Sequence, residues 1–143
     1  MTNLGLVSGD LDIAARTVFG EARGESYEGK KAVAWVLKNR WLSTRGQFAK
    51  DDTLATACLR HRQFSAWNAG DPNLGAMRKT GEWDRSYRDS LRAVLEVIDE
   101  LTDSLTFGSL WYHAQAVSPD WAVGAKPASQ HGAHVFYNEL PGE

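Results

Sequence analysis

Apolar residues recur at positions 11, 14, 15 and 18, one face of a helix, and predict a first helix over Leu11–Phe19 capped by Asp10 or Ser8. Ser26 is a good N-cap for a longer helix, about Tyr27 to Ser43. Its expected buried stripe is Val33, Val36, Leu37 and Trp41, with Lys30, Lys31, Lys38 and Arg40 largely off it. A polar connection over 44–52 leads to a short helix, Thr53–Leu59, with Asp52 placed to cap it. Residues 69–80, with Gly70, Pro72 and Gly75, read as an irregular surface segment. The clearest periodicity runs from about Glu82 to Thr102, where Trp83, Tyr87, Leu91, Val94, Leu95, Ile98 and Leu101 step by three or four. That stripe predicts a core helix whose aromatics serve packing. Leu110–His113 and His134–Tyr137 are short runs of β-favouring residues, expected to pair antiparallel. The pattern as a whole is α+β, mostly α, with a small antiparallel β element near the C-terminus, in a single domain over 1–143.

Between the first two helices lies Phe19-Gly20-Glu21-Ala22-Arg23-Gly24-Glu25. Gly20 and Gly24 weaken the helix and allow a tight bend. A carboxylic acid at a helix end beside hydrophobic residues is where a general acid can be tuned, because burial disfavours the charged form. Two packed helices would give such a group a firm mount. A surface loop with a solvated ion pair accounts for the same residues equally well.

Composition narrows the function classes. The net charge of −2 over 143 residues offers no basic excess, so nucleic acid is not the expected partner. No apolar run approaches the roughly 18 residues of a membrane helix, and Met1–Leu6 lacks the basic and apolar regions of a signal peptide. The single cysteine, Cys58, has no partner for an internal disulfide and reads as a small buried hydrophobe. Six tryptophans are many for this length: most belong in a core, but an excess also suits a cleft that stacks sugar rings.

His131 and His134 are three apart and His61 and His113 distant, without the spacing of a zinc site, so no metal or other cofactor is expected. No Gly-x-Ser-x-Gly elbow marks an esterase. Arg60–Asn68 mixes amides, a hydroxyl and rings, suited to a hydroxyl-rich ligand or to a well-capped loop.

Ala15–Glu25, followed by Tyr27-Glu28-Gly29, Ala32-Val33-Ala34 and Asn39-Arg40, resembles the opening motif of the SleB-type cell wall hydrolases, the spore-cortex-lytic enzymes and their bacteriophage endolysin relatives. Cys58 with Gln63–Trp67, Tyr112-His113 with Val117–Ala122, and Gly132–Tyr137 match in order, although Ala133 stands where asparagine is usual. The resemblance spans about residues 11–138. It implies a compact lysozyme-like domain acting on peptidoglycan glycan strands, with Glu21 as the catalytic glutamate. The implied reaction is that of a lytic transglycosylase, cleaving between N-acetylmuramic acid and N-acetylglucosamine to leave a 1,6-anhydro end. Glu25 and Arg23 would support it, Glu25 by pairing with Arg23 or by capping the next helix. Gln63, Ser65, Tyr112 and His113 would line the cleft opposite Glu21 and hold the sugar, with Phe64 packed beneath. An endolysin of this kind would accumulate in the host cytoplasm without stable membrane association, and act on the wall after a separate membrane-permeabilising protein releases it. The alternatives are a hydrolytic muramidase, a peptidoglycan amidase, and a non-catalytic glycan-binding or virion structural module.

Overall fold

The computed structural model describes residues 9–43, 53–59, 67–99 and 109–141. In chain order these form helices α1 (Asp10–Glu21), α2 (Tyr27–Leu42), α3 (Leu54–Leu59), α4 (Leu74–Lys79) and α5 (Arg85–Ile98). Strands β1 (Trp111–Ala114), β2 (Ser129–His131) and β3 (His134–Tyr137) follow, with one short 3₁₀ turn at Asp120–Ala122. The mostly helical α+β expectation holds. The expected strand pair is present, with Tyr112 opposite Phe136, and β2 adds a third strand to give an antiparallel order β1-β3-β2.

Helix α2 is buried on nearly every side rather than along one stripe. Ala34, Leu37 and Trp41 pack with Val18, Ala22, Val94 and Val97 of its helical neighbours, while Ala32 and Val36 meet Phe136 of β3. The four basic residues were expected largely off the buried face, but Lys30, Lys38 and Arg40 are each about 5% exposed or less. Their apolar stems pack, and their heads reach backbone carbonyl oxygens at helix ends or at the entry to β1. Lys30 Nζ donates to Ala22 O and Glu25 O at the end of α1, and Lys38 Nζ to Val97 O at the end of α5. Arg40 Nε donates to Leu110 O at 2.6 Å and Asn39 Nδ2 to Ser109 O at 3.0 Å, holding the chain as it enters β1.

Other expectations shift for equally local reasons. Asp10 does not cap α1: Gly9 occupies that position without a side-chain bond, and fully buried Asp10 accepts Ala55 N–H at 2.9 Å in the first turn of α3. Ser26 caps α2 as expected, accepting from Gly29 N. The segment over 69–80 contains α4, started by an Asp71 turn and held by Met77, which is buried against Ala15 and Phe19. Trp83 lies in the turn before α5, whose N-cap is Asp84, and is 74% exposed; Leu95 also faces solvent. Leu101 and the proposed cap Asp52 lie outside the described residues. Cys58 is buried in the main core, as expected.

One polar network stitches α1 to α4 and α5. Asp12 accepts from the Tyr87 hydroxyl at 2.6 Å and from Arg16 Nε at 3.0 Å, while Arg16 Nη1 donates to Met77 O and Thr80 O at 2.7 Å each. Burial pushes the Asp12 carboxyl up, but the Tyr87 and Arg16 bonds outweigh it and hold it below 3.8. Burial first, and then Asp12, pushes the Tyr87 hydroxyl up to about 12. The depressed acid stabilises the fold above its unfolded value and loses that contribution as pH falls through its folded one; the raised phenol stabilises below 10.0 and loses it as pH rises further. We predict that the stability gap between wild type and Tyr87→Phe, measured by thermal unfolding, is widest between these limits and narrows on both sides. A gap independent of pH would contradict this assignment.

Candidate active site

Helix α1 ends at Glu21 because the next residues leave helical geometry: Ala22 has φ −114° and Gly24 φ +83°, a left-handed value that favours glycine. Ala22 N still bonds Val18 O, Glu25 N bonds Ala22 O, and Lys30 grips the same turn from α2. Glu21 is thus presented from a clamped helix end into a cleft of about 400 Å³. Gly20, Glu21 and Asn73 line its helical side; Tyr112, His113, Ala114, Val117, Pro119, Trp121 and His134 line the side of the sheet.

Strand alternation decides what each sheet residue does. Tyr112, His134 and Phe136 meet on the face turned to the helices, and the Tyr112 hydroxyl donates a hydrogen bond to Glu21 Oε1. Burial, then the neighbouring Glu21 charge and that bond, raise the Tyr112 hydroxyl well above its ordinary value. It therefore stays a proton donor to Glu21 at any working pH. On the other face, His113 stacks on Tyr137 at 5.4 Å and meets the Trp121 ring edge-on at 5.5 Å. Its Nδ1–H donates to Ala114 O at 2.7 Å, and its Nε2 is hydrogen-bonded with the Tyr137 hydroxyl at 2.8 Å. His113 borders the cleft with both nitrogens engaged, as a mount for Trp121.

Glu25 neither pairs with Arg23 nor caps α2, whose cap is Ser26. Its Oε1 accepts from Ala133 N at 2.9 Å and lies 3.5 Å from His134 Nδ1, so it holds the β2–β3 hairpin against the end of α1. Ala133, where the resembled motif has asparagine, contributes a backbone N–H that any residue but proline would keep. Buried His134 is depressed below the usual histidine range, chiefly by burial, against the pull of Glu25. Arg23 is exposed, with its guanidinium 5.4 Å from the Phe19 ring centroid.

The structure thus brings Glu21, Tyr112 and His113 together, and sets Glu25 one step behind them. Gln63 and Ser65, with Phe64, lie outside the described residues. Trp67 is half-buried against the core, its Nε1 donating to Thr17 Oγ1 at 2.7 Å. The sequence reading did not single out Asn73, Val117, Pro119, Trp121 or His134 as site residues. The excess of tryptophans suited a sugar cleft without naming which one; Trp121, 38% exposed, is the one that lines it. Among the described residues, Glu21 is the one carboxylate lining the cleft, and no three His, Cys, Asp or Glu side chains cluster as metal ligands.

Gly132, at φ +57°, turns the β2–β3 hairpin directly over the Glu25 carboxylate, where a Cβ would overlap it. We predict that Gly132→Ala destabilises by about 1–3 kcal/mol, through backbone strain and loss of the Glu25–Ala133 bond. Glu25→Ala should cost a similar amount, and the double variant less than the sum, because the bond can be lost only once. Strict additivity in chemical denaturation would show that the two residues do not share it.

Comparison with known proteins places this geometry in a family. The sequence pattern described as Cell Wall Hydrolase matches residues 24–137, a stretch that opens just after Glu21. A spore cortex-lytic enzyme of Oceanobacillus iheyensis is 31% identical over 133 residues, which are 92% of this chain and 42% of that protein. The chain therefore spans about two fifths of that relative's length. The catalytic domain of the germination-specific lytic transglycosylase SleB from Bacillus anthracis superposes with a TM-score of 0.72 at 26% identity, covering 96% of this chain and 99% of that one. The catalytic domain of the Bacillus cereus SleB protein superposes equally well, over 96% and 94%. With most of its length matched, the chain belongs to the cell wall hydrolase family.

Proposed function

We propose that this domain cleaves peptidoglycan glycan strands as a lytic transglycosylase, with Glu21 as its single general acid and base. The observation that carries the proposal is the Glu21 carboxyl under the Tyr112 hydroxyl, the one carboxyl lining the cleft among the described residues. A retaining glycosidase with a protein nucleophile sets two carboxyls about 5–5.5 Å apart, and an inverting one about 6.5–9.5 Å apart. Among the described residues the cleft offers one, and Glu25 is engaged with the hairpin behind it. One carboxyl suffices when the nucleophile belongs to the substrate.

The steps balance without a further reactant. The Glu21 acid gives its proton to the glycosidic oxygen as the bond from that oxygen to C1 of N-acetylmuramic acid breaks. The sugar's own 6-hydroxyl then attacks C1, and its proton passes to the Glu21 carboxylate, restoring the acid and leaving a 1,6-anhydro ring. Tyr112 donates to whichever oxygen of Glu21 carries the charge and holds the carboxyl in one rotamer while the proton moves. The apolar wall of Val117, Pro119 and Trp121 suits the face of a pyranose ring. The similarity to the lytic transglycosylase SleB domains supports the same reading. Use of the activity in host-cell lysis, as by a bacteriophage endolysin, is a finer part of the proposal supported by the sequence resemblance alone.

Mass spectrometry of muropeptides released from purified walls tests the reaction. We expect anhydro-muramyl ends, each lighter by one water than the hydrolytic product. Reducing ends would make the enzyme a muramidase, and free stem peptides would make it an amidase. Glu21→Gln should lose about 10²–10⁴-fold in turnover while keeping the fold, and Tyr112→Phe should lower turnover with little change in melting temperature. Wall lysis at wild-type rate by Glu21→Gln would remove Glu21 from the mechanism.

A further inference from the structure

Asn73 stands at the N-cap position of α4 and does not cap it: its side chain makes no bond to the helix. An asparagine at that position ordinarily turns its amide oxygen onto the second or third helical N–H. Here the backbone is anchored instead. Asn73 N–H donates to Asp71 Oδ1 at 2.8 Å, and its carbonyl accepts from the N–H of Met77, whose side chain is fully buried against α1. Asn73 lines the same cleft as Glu21, and its side chain has no hydrogen bond among the described residues. It is also the one carboxamide lining that cleft among them. A held backbone, an unused cap and a place in the wall of the acid's cleft are more than packing requires.

We propose that Asn73 is a specificity-determining residue that reads the acetamido group of the sugar lying against Glu21. A carboxamide places one donor and one acceptor side by side, and an acetamido group presents the complementary N–H and C=O. A de-acetylated sugar presents an ammonium group in that place. It has no carbonyl to accept from the amide, so the Asn73 N–H would be left without a partner. Trp121 and Pro119 on the facing wall take the ring while Asn73 takes its substituent. The inference rests on the cleft being a glycan-strand site, so its test is separated from turnover.

Binding is measured by calorimetry with the full chain carrying Glu21→Gln, against purified glycan strands either fully N-acetylated or chemically N-deacetylated. Two neutral hydrogen bonds correspond to a preference of about 10-fold to 100-fold for the acetylated strands. Asn73→Ser and Asn73→Asp, added to that background, should each lose most of the preference. Both residues cap helices as well as asparagine, so a purely structural role would survive them, with unchanged thermal unfolding. In the otherwise wild-type enzyme the same changes should raise KM for acetylated strands more than they lower kcat. A preference retained by the Ser and Asp variants overturns the inference, as does failure of the Asn73-containing protein to distinguish the strands. Acetamide-dependent binding without strand cleavage by the wild type would leave this inference standing and sink the proposed reaction.

Discussion

The Tyr112 hydroxyl and the Glu21 carboxyl meet across 91 positions of chain, one carried by a strand and the other by a helix end. Their hydrogen bond requires the small sheet to sit in one place against the helical body. Much of the structure can be understood as meeting that requirement. Phe136 packs on Ala32 and Val36, Arg40 and Asn39 fix the entry to β1, and Glu25 holds the hairpin from the turn that presents Glu21. Three contacts of different chemistry thus fix the sheet at its face, its entry and its turn. Small interfaces seldom define a geometry through apolar contact alone; directional bonds supply what area does not.

Helix α2 is the organising element behind this arrangement. It packs against α1, α3 and α5 on some sides and against the sheet on another, so Lys30, Lys38 and Arg40 have no solvent face to occupy. Their heads satisfy carbonyls at the ends of α1 and α5 and before β1, which turns a cost of burial into a set of joints. The joint made by Lys30 lies at the turn after Glu21, so the mount of the acid and the packing of the core are the same construction.

Much of this was legible in the sequence where a local pattern carried it. The extents of α1 and α2, the Ser26 cap and the β-favouring runs that became β1 and β3 are short-range features, and all appeared close to where expected. Glu21 and Tyr112 were legible through motif resemblance, which carries pairing information that periodicity lacks. What escaped depended on partners distant in the chain. The burial of Lys30, Lys38 and Arg40 needs carbonyls on other elements, and Asp10 is taken from its own helix by α3. The role of Glu25 depends on a hairpin more than a hundred residues away, and β2 exists because β3 offers it an edge. Trp83 misled because the stripe was continued backwards through a turn, where helical phase has no meaning.

The central claim is that one carboxyl, held by one tyrosine, performs the proton chemistry. Carbon-13 NMR of protein labelled at glutamate carboxyls observes that contact directly. If Tyr112 donates to Glu21 in solution, Tyr112→Phe shifts the Glu21 carboxyl resonance, assigned by its loss in Glu21→Gln, while the Glu28 resonance stays in place. A Glu21 resonance unmoved by Tyr112→Phe would mean that the two groups do not meet, and the account of the site would fall with it.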